Sequence, residues 1–507
     1  MQYFDFLDDD QVATVHEASL EILEEVGLLV RNGKARRRFG EHGARVDDAT
    51  EIVRIPAAVV ERFRAIVPPT ITLRGRDPAH DVTFPREVPV VATASSAPDI
   101  VDPVSGVTRR ATSSDIANIA HLVNHLPGFD VFSISTLADD APDGQFSLSR
   151  FYPALKNCVK PCRTSVIDVR EAEQVLKLGE LIAGSKEAYR ERPFINFGYC
   201  SIVSPLTMDY DSTEMLMYYA ENEVTAYGTI APMGGLSTPL SLAGMLTLMN
   251  AEWLAAAVLA QMSRPGTALI YNFLPVFADM RDGAYASGAI EVGMMTAAVC
   301  RMARFYDVPA GGYLGLTNAK VSDAQAGFEK GMSPLIGALS GVSFIVIGGL
   351  LDALMSFDFG QAVIDDEIAL MIKRVRRGFE FTKESVALDE IKATGPAGMF
   401  AGNPRTLQRM ADAAFLPALA DRKPREQWAV EGASTIHQRA MNRALDILSQ
   451  PNTAALDGEI DARMRAHFDG LVAGDSVLPE GWVRQGETSE RPHRERRVNR
   501  RRGGSGT

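Results

Sequence analysis

Tyr199, Tyr227, Tyr271, Phe273 and Tyr313 each fall in a short apolar run of the 507-residue chain. Aromatic faces attract cations, so rings of this kind can line a receptor for one. Any one of these rings, taken alone, is also ordinary packing between a strand and a helix. Polar residues accompany them. Asn272 lies between Tyr271 and Phe273, and Asp279 and Arg281 follow, suited to a substrate carboxylate or to shaping a rim. Asn318 and Lys320 come after Tyr313, with Asp323, Gln325 and Glu329 at the next loop-to-helix junction. Asp323 there also reads as a helix-start residue. Asp365, Asp366 and Glu367 read as the solvated face of a helix. Gly234-Gly235 and Gly311-Gly312 permit either a close ligand approach or a tight turn.

Histidine is conspicuous by position. His16, His42, His80, His121 and His125 precede residue 126, and His437, His467 and His493 follow residue 436. A site built from the stretch between works without imidazole, which disfavours His-ligated zinc, Ser-His-Asp hydrolysis and histidine general bases there. Four cysteines make no disulfide framework. Cys158 and Cys162 have zinc-like spacing, but Cys200 and Cys300 supply no second pair, so all four are expected to be plain thiols and no metal site is expected. The net charge of −12 argues against a nucleic-acid partner. No phosphate loop and no Gly-x-Gly-x-x-Gly opening a helix is present.

These residues need a frame. Residues 8–27, 34–41 and 56–66 follow helical patterns. From Val88 onward, eight apolar runs rich in β-branched or aromatic residues alternate with helices. The runs are 89–94, 130–135, 162–167, 194–200, 224–230, 267–273, 310–316 and 342–347. The helices expected between them cover 113–125, 170–183, 212–221, 240–263, 284–306 and 322–339, and 147–155 reads equally as helix or loop. Parallel strands need long crossovers, so this alternation predicts βα units. Eight units predict a TIM (β/α)8 barrel, with an open doubly wound sheet as the alternative. Strand ends then carry the site, and alternation puts Tyr271 and Phe273 on one face and Phe197 and Tyr199 on one face. The expected organisation is an N-terminal helical cap over 1–87, a barrel over 88–380, a C-terminal helical region over 381–484 with helices at 383–394, 407–415 and 426–449, and a disordered basic tail over 485–507. The weakly charged run 335–355 would fit a membrane span in length, but its glycines favour a buried helix–turn–strand. A cytoplasmic protein without a membrane contact is expected.

Several segments resemble one family. EVGLLVRNGKARRRFGEHGARVD from Glu25 to Asp47 and Ser204-Pro205-Leu206 are similar to the trimethylamine methyltransferase family. So are GLSTPLSLAGMLTLMNAEWLAAAVLAQMSRPGTALIYN from Gly235 to Asn272, DMRDGA from Asp279, LTNAKVSDAQAGFEK from Leu316 to Lys330, and VIDDEI from Val363 to Ile368. The resemblance implies a barrel methyltransferase moving a methyl from an N-methylated amine to the cobalt of a separate corrinoid protein. No cofactor is expected in this chain. Cobalamin would arrive on the partner, since no histidine here follows an aspartate at the corrinoid-motif spacing. Trimethylamine-using members carry pyrrolysine, whereas this chain has only ordinary residues and resembles the pyrrolysine-free branch, which includes glycine betaine:corrinoid methyltransferases.

The chemistry points the same way. Displacing a neutral tertiary amine from R–N⁺(CH₃)₃ needs no proton transfer, only positioning of the cation and its methyl. The expected substrate is therefore a small, betaine-like quaternary amine. Its expected binding residues are Tyr199, Tyr271, Asn272, Phe273, Tyr313, Asn318, Lys320, Asp279 and Arg281, and no catalytic residue is assigned. The competing readings are trimethylamine demethylation, a non-catalytic member that binds quaternary amines or a partner, and, more weakly, a phosphate-handling barrel. A homo-oligomer is expected.

Overall fold

The structure, a computed structural model, describes residues 3–471 and 474–486, so most of the expected basic tail lies outside the described residues. Its centre is eight short parallel strands, which we label β1 (Val90–Ala92), β2 (Phe132–Ser133), β3 (Cys162–Thr164), β4 (Ile195–Cys200), β5 (Ala226–Thr229), β6 (Tyr271–Phe273), β7 (Ala310–Gly315) and β8 (Phe344–Ile347). Parallel ladders join β2 to β3, β3 to β4 and β4 to β5, and likewise β6 to β7, β7 to β8 and β8 to β1. Single parallel bridges, Ala92 to Val131 and Ile230 to Phe273, connect the two arcs. Each strand thus has a parallel neighbour on both sides. Burial on both faces explains why apolar residues dominate most of these runs.

A helix follows each strand: α1 (Ser113–Asn124), α2 (Leu148–Asn157), α3 (Val169–Ala183), α4 (Tyr210–Glu221), α5 (Leu242–Ser263), α6 (Ile290–Tyr306), α7 (Ala324–Ser340) and α8 (Phe359–Arg377). The carboxylates of Asp168, Asp209, Asp323 and Asp358 accept backbone N–H groups at the starts of α3, α4, α7 and α8, which sets those boundaries. The ambiguous 147–155 stretch is helix α2. The expected helix over 284–306 begins later, because Tyr285–Ala286 pairs antiparallel with Phe277 and Ala278. The run 335–355 folds as the end of α7, a turn at Gly341 and β8. Among the described residues one helix, α5, is long and apolar enough to cross a membrane, and 72% of its apolar window is buried in the fold.

The N-terminal region has the three expected helices, Asp9–Glu21, Gly33–Glu41 and Ala57–Arg64. It also has strands that the sequence did not announce: Leu28–Val30, Ile52–Arg54 and Arg45–Asp47 form a sheet with Thr207–Met208. The hairpin of Ile71–Leu73 and Val82–Phe84 covers the N-terminal end of the strands, where Phe84 stacks on Phe344 with ring centres 5.6 Å apart. At the C-terminal side, the single helix expected over 426–449 is two, Arg425–Val430 and Ile436–Leu448. Gly432 (φ 99°) and Ala433 (φ 52°) turn left-handed, and Thr435 with Gln438 forms a capping box that restarts the chain. The expected helix 407–415 is only Pro404–Arg409.

One sequence expectation is reversed. Asp365, Asp366 and Glu367 are not a solvated face; all three are buried on α8. Consecutive positions radiate to three sides of a helix, and here β8, the β1–β2 connection and the C-terminal region cover all three. Asp366 accepts from the Gly128 N–H at 2.6 Å. Glu367 accepts from the N–H groups of Ala418, Leu419 and Ala420 at 2.6, 2.7 and 3.1 Å. Asp365 meets Lys330 of α7 at 3.0 Å, and neither side chain is exposed to solvent at all. Asp365 also accepts from Gly349 N–H at 2.7 Å, while Lys330 donates to the Gly315 carbonyl at 2.6 Å.

Removing one partner of that pair strands a buried charge. Lys330→Met is expected to lower stability by about 3–5 kcal/mol, and Lys330→Met with Asp365→Leu to recover most of it, in denaturant titrations. A second, pH-dependent contribution comes from His437, whose Nε2 lies 2.9 Å from Asp358. That hydrogen bond raises the imidazole above its usual 6.5. A raised folded value stabilises fully below 6.5 and fades as pH climbs through the folded value. The melting temperature should therefore fall from pH 6 toward pH 8 by more in the parent than in His437→Gln, measured by thermal unfolding across that range.

Candidate functional site

Side chains along a strand alternate between two faces, so each strand assigns its residues either to the helices or to the inner side. The aromatic pairs go to the helices. Phe197 stacks on Tyr219 of α4 at 5.2 Å, and Tyr199 lies against the same ring at 5.6 Å. Tyr271 packs on Trp253 of α5 at 4.9 Å and donates its hydroxyl to Asn250 at 2.7 Å. Phe273 sits on the same side, 4.7 Å from Tyr271. Tyr199, Tyr271 and Phe273 therefore stand between strands and helices, away from the inner face.

The inner face gathers a different set. Asn272 points inward, donating to Thr229 Oγ1 at 2.7 Å. Its Oδ1 is buried with no hydrogen-bond partner. A side chain on Gly311 of the neighbouring strand would come within 2.5 Å of that oxygen, so glycine is what lets Asn272 lie there. Tyr313 also faces inward and lies 3.4 Å from the guanidinium of Arg163.

Arg163, the central residue of β3, was not among the expected site residues. It is buried, donates from Nε to Ser133 Oγ at 2.9 Å, and lies 4.4 Å over the Tyr227 ring and 5.7 Å from the Phe344 ring. None of these neighbours is acidic. A Cβ on Gly198 would fall 2.9 Å from its Nη1, so a glycine opposite Tyr227 makes room for the guanidinium. The Tyr227 hydroxyl is buried without a partner, and burial pushes it well above the ordinary phenol range, keeping it a neutral donor. The only advance sign of Arg163 was a charged letter inside an otherwise strand-like run.

The loops after the C-terminal strand ends form the rim. Asn318 ties two of them together: its Oδ1 accepts from Gly288 N–H at 2.9 Å and its amide donates to the Tyr285 carbonyl at 2.7 Å. Glu329 accepts from Thr317 Oγ1 at 2.5 Å and from Asn318 N–H at 2.8 Å. Lys320 extends to Asp352 at 3.3 Å on the surface. Asp323 caps α7, as its helix-start reading expected. Asp279 and Arg281 bind one another through contacts of 2.9 and 2.6 Å on an exposed loop. The guanidinium holds the Asp279 carboxyl down at about 2. Arg281 is thus already matched in charge. Ser204-Pro205-Leu206 is positioned by Glu252 of α5, which accepts from Ser204 Oγ at 2.7 Å and Leu206 N–H at 2.8 Å. Burial pushes that carboxyl up to about 7.

Among the described residues no group of three or more His, Cys, Asp or Glu side chains is placed to hold a metal ion. Cys158, Cys162 and Cys300 are buried free thiols, and Cys200 is an exposed one at the end of β4.

With this geometry described, the relatives can be compared. The sequence pattern of the family described as trimethylamine methyltransferase (MTTB) matches residues 1–470. A glycine betaine methyltransferase of Desulfitobacterium hafniense (strain Y51) is 33% identical over 471 residues, covering 91% of this chain and 96% of that one. The trimethylamine methyltransferase MttB of D. hafniense (strain DSM 10664 / DCB-2) is 30% identical over 458 residues, covering 90% and 92%. The crystal structure of the Methanosarcina barkeri monomethylamine methyltransferase (MtmB) is similar in fold, with a TM-score of 0.50 at 14% identity, covering 87% of this chain and 93% of that one.

The division between outer and inner aromatics is testable. Tyr271→Phe leaves the buried Asn250 oxygen unpaired and should cost about 1–3 kcal/mol of stability without changing KM. Tyr313→Phe should barely move the melting temperature and should raise KM. Thermal unfolding and steady-state kinetics on both variants measure the contrast.

Proposed function

The chain belongs to the trimethylamine methyltransferase family and is a methyltransferase, and we propose that it takes its methyl from a small quaternary amine that also carries a carboxylate, delivering it to Co(I) of a separate corrinoid protein. The observation that carries this reading is Arg163, a buried inner-face guanidinium whose neighbours are Ser133, Tyr313, Tyr227 and Phe344. A buried charge without a counter-charge is expensive. A substrate carboxylate would complete it with charge-assisted hydrogen bonds. A substrate that is only a cation would be repelled, since two like charges about 4 Å apart repel by ~4 kcal/mol at the effective dielectric of such sites. Both substrate names occur among relatives of about 30% identity. The charge of Arg163 favours the zwitterion over protonated trimethylamine.

The inner residues divide the work. Arg163 orients the carboxylate, and the inward side chains of Tyr227 and Tyr313 lie beside it. The ring faces and the Asn272 oxygen suit the ammonium end, which offers no hydrogen to donate. The C–N bond breaks with its electron pair left on nitrogen, so the departing tertiary amine takes no proton and no histidine is needed. The corrinoid supplies the nucleophile. What this chain contributes is alignment and exclusion of water.

We read the strand ring as a closed (β/α)8 barrel with the regions before residue 88 and after residue 380 as its additions; the parallel neighbours on both sides of every strand support this. Barrel chemistry then sits at the C-terminal mouth. Exposed apolar residues crown six loops at that end: Val107, Ile167, Leu236, Met280, Val321 and Met355. A ring of this kind suits a protein partner bringing its corrinoid to the opening.

The test is to mix the protein with a reduced corrinoid protein and with glycine betaine, carnitine or trimethylamine in turn, following loss of the Co(I) absorption. A carboxylate-bearing amine is expected to react, and reaction with trimethylamine alone would overturn the assignment. Arg163→Met should lower kcat/KM for the reactive amine by about 100-fold, the loss of a charge-assisted pair, with an unchanged circular dichroism spectrum.

A further inference from the structure

Residues 379–417 leave the body of the protein and return without burying a single side chain. From Arg377 to Ala418 no residue is buried, and Leu419 is the first to re-enter the core. The excursion is rooted twice on α8. Arg374 donates to the carbonyls of Gly378 and Ala413, and Glu367 receives the three N–H groups at residues 418–420. Inside it are two short helices, Leu388–Thr394 and Pro404–Arg409, and the second is tied to the segment before the first by the ion pairs Arg405–Glu384 at 2.7 Å and Arg409–Glu380 at 3.5 Å.

Its composition does not fit a solvated loop. Ten large apolar side chains in it are exposed, among them Phe379 at 83%, Phe381 at 81% and Met399 at 82%. Together they present on the order of 1,000 Å², beyond the roughly 300–600 Å² patch of a typical monomer and above the ~800 Å² that one partner buries in a standard interface. Ordering such a segment costs roughly 1–2 kcal/mol per residue in backbone entropy, which exposed rings do not offset. A covering protein surface would offset that cost.

We infer that a second copy of this chain covers this arm. Charge favours that occupant. The whole chain carries −12, but residues 379–417 hold five acidic and four basic side chains, so the arm is nearly neutral. Two copies can meet there without the repulsion their bodies would impose, and mixed signs allow the self-complementary contact of a two-fold interface. Position favours it too. The arm leaves from the C-terminal end of α8, where Arg376 donates to the carbonyls of Ala338 at the end of α7 and Glu87 just before β1. That is the end of the strands opposite the C-terminal mouth. A dimer joined there keeps the mouth open.

Sedimentation velocity on the full chain at micromolar concentration should give the mass of a dimer or larger. Phe381→Glu with Met399→Glu should give a monomer with an unchanged circular dichroism spectrum, and Phe379→Ser with Leu407→Ser serves if the first pair does not fold. A monomeric parent, or an unchanged oligomer in the substituted chain, overturns the inference. Amide exchange needs no variant: protection across 379–417 should rise with protein concentration, and exchange independent of concentration would equally overturn it.

Discussion

Lys330 and Asp365 meet at 3.0 Å with neither side chain touching solvent, and the ends of two strands hang on that contact. Lys330 holds the Gly315 carbonyl where β7 finishes, and Asp365 holds the Gly349 N–H just beyond β8. Both strands must end at a fixed height for the loops beyond them to meet. From Gly315 the chain runs directly into Thr317 and Asn318, the residues that join the rim loops. From Gly349 it runs into Leu350–Leu351, which pairs with Ser356–Phe357 and through it with the loop after β1. A buried ion pair of this kind is poor evidence for raw stability. Its use is in allowing one arrangement of the backbone groups it binds.

Within the ring so fixed, Arg163 is an inner-face cation with no carboxylate among its neighbours. Arg163 has aromatic and hydroxyl neighbours, which lessen the burden of burial without neutralising the charge. Its field is therefore available to a ligand. The arginine expected from sequence differs for the opposite reason: Arg281 already closes on Asp279 at the surface. A paired guanidinium must be parted from its carboxylate before it can take another. Arg163 has nothing to give up.

Much of the frame was legible because periodicity is a one-dimensional property. Each of the eight runs contains a parallel strand, though several strands are shorter than their runs, as Tyr271–Phe273 within 267–273 and Phe132–Ser133 within 130–135, and the helices between them are present. Faces were less legible. The sequence placed Tyr271 and Phe273 together, but which way they point depends on what α5 offers, and Trp253 and Asn250 are brought there only by the tertiary fold. The acidic trio on α8 was misread for a related reason: burial on three sides needs three covering elements, and a local window sees none of them. Arg163 escaped notice because an arginine in a strand run is indistinguishable, letter by letter, from one at a strand end. The split of the helix expected over 426–449 was nearer to hand, since Gly432 and the Thr435–Gln438 box are local signals.

The proposed methyl transfer and the inferred interface lie at different ends of the strands and rest on independent observations. At the N-terminal end the hairpin ending in Phe84 lies against Phe344, whose ring is 5.7 Å from the Arg163 guanidinium. The loops at the other end expose apolar side chains one after another. A methyl donor that meets a second protein, as proposed, needs its binding site to open onto that protein's docking surface. On the proposed chemistry and the inferred interface, methyl transfer and assembly stand at opposite ends of the same strands, so contacts made through the arm can change without altering the inner face.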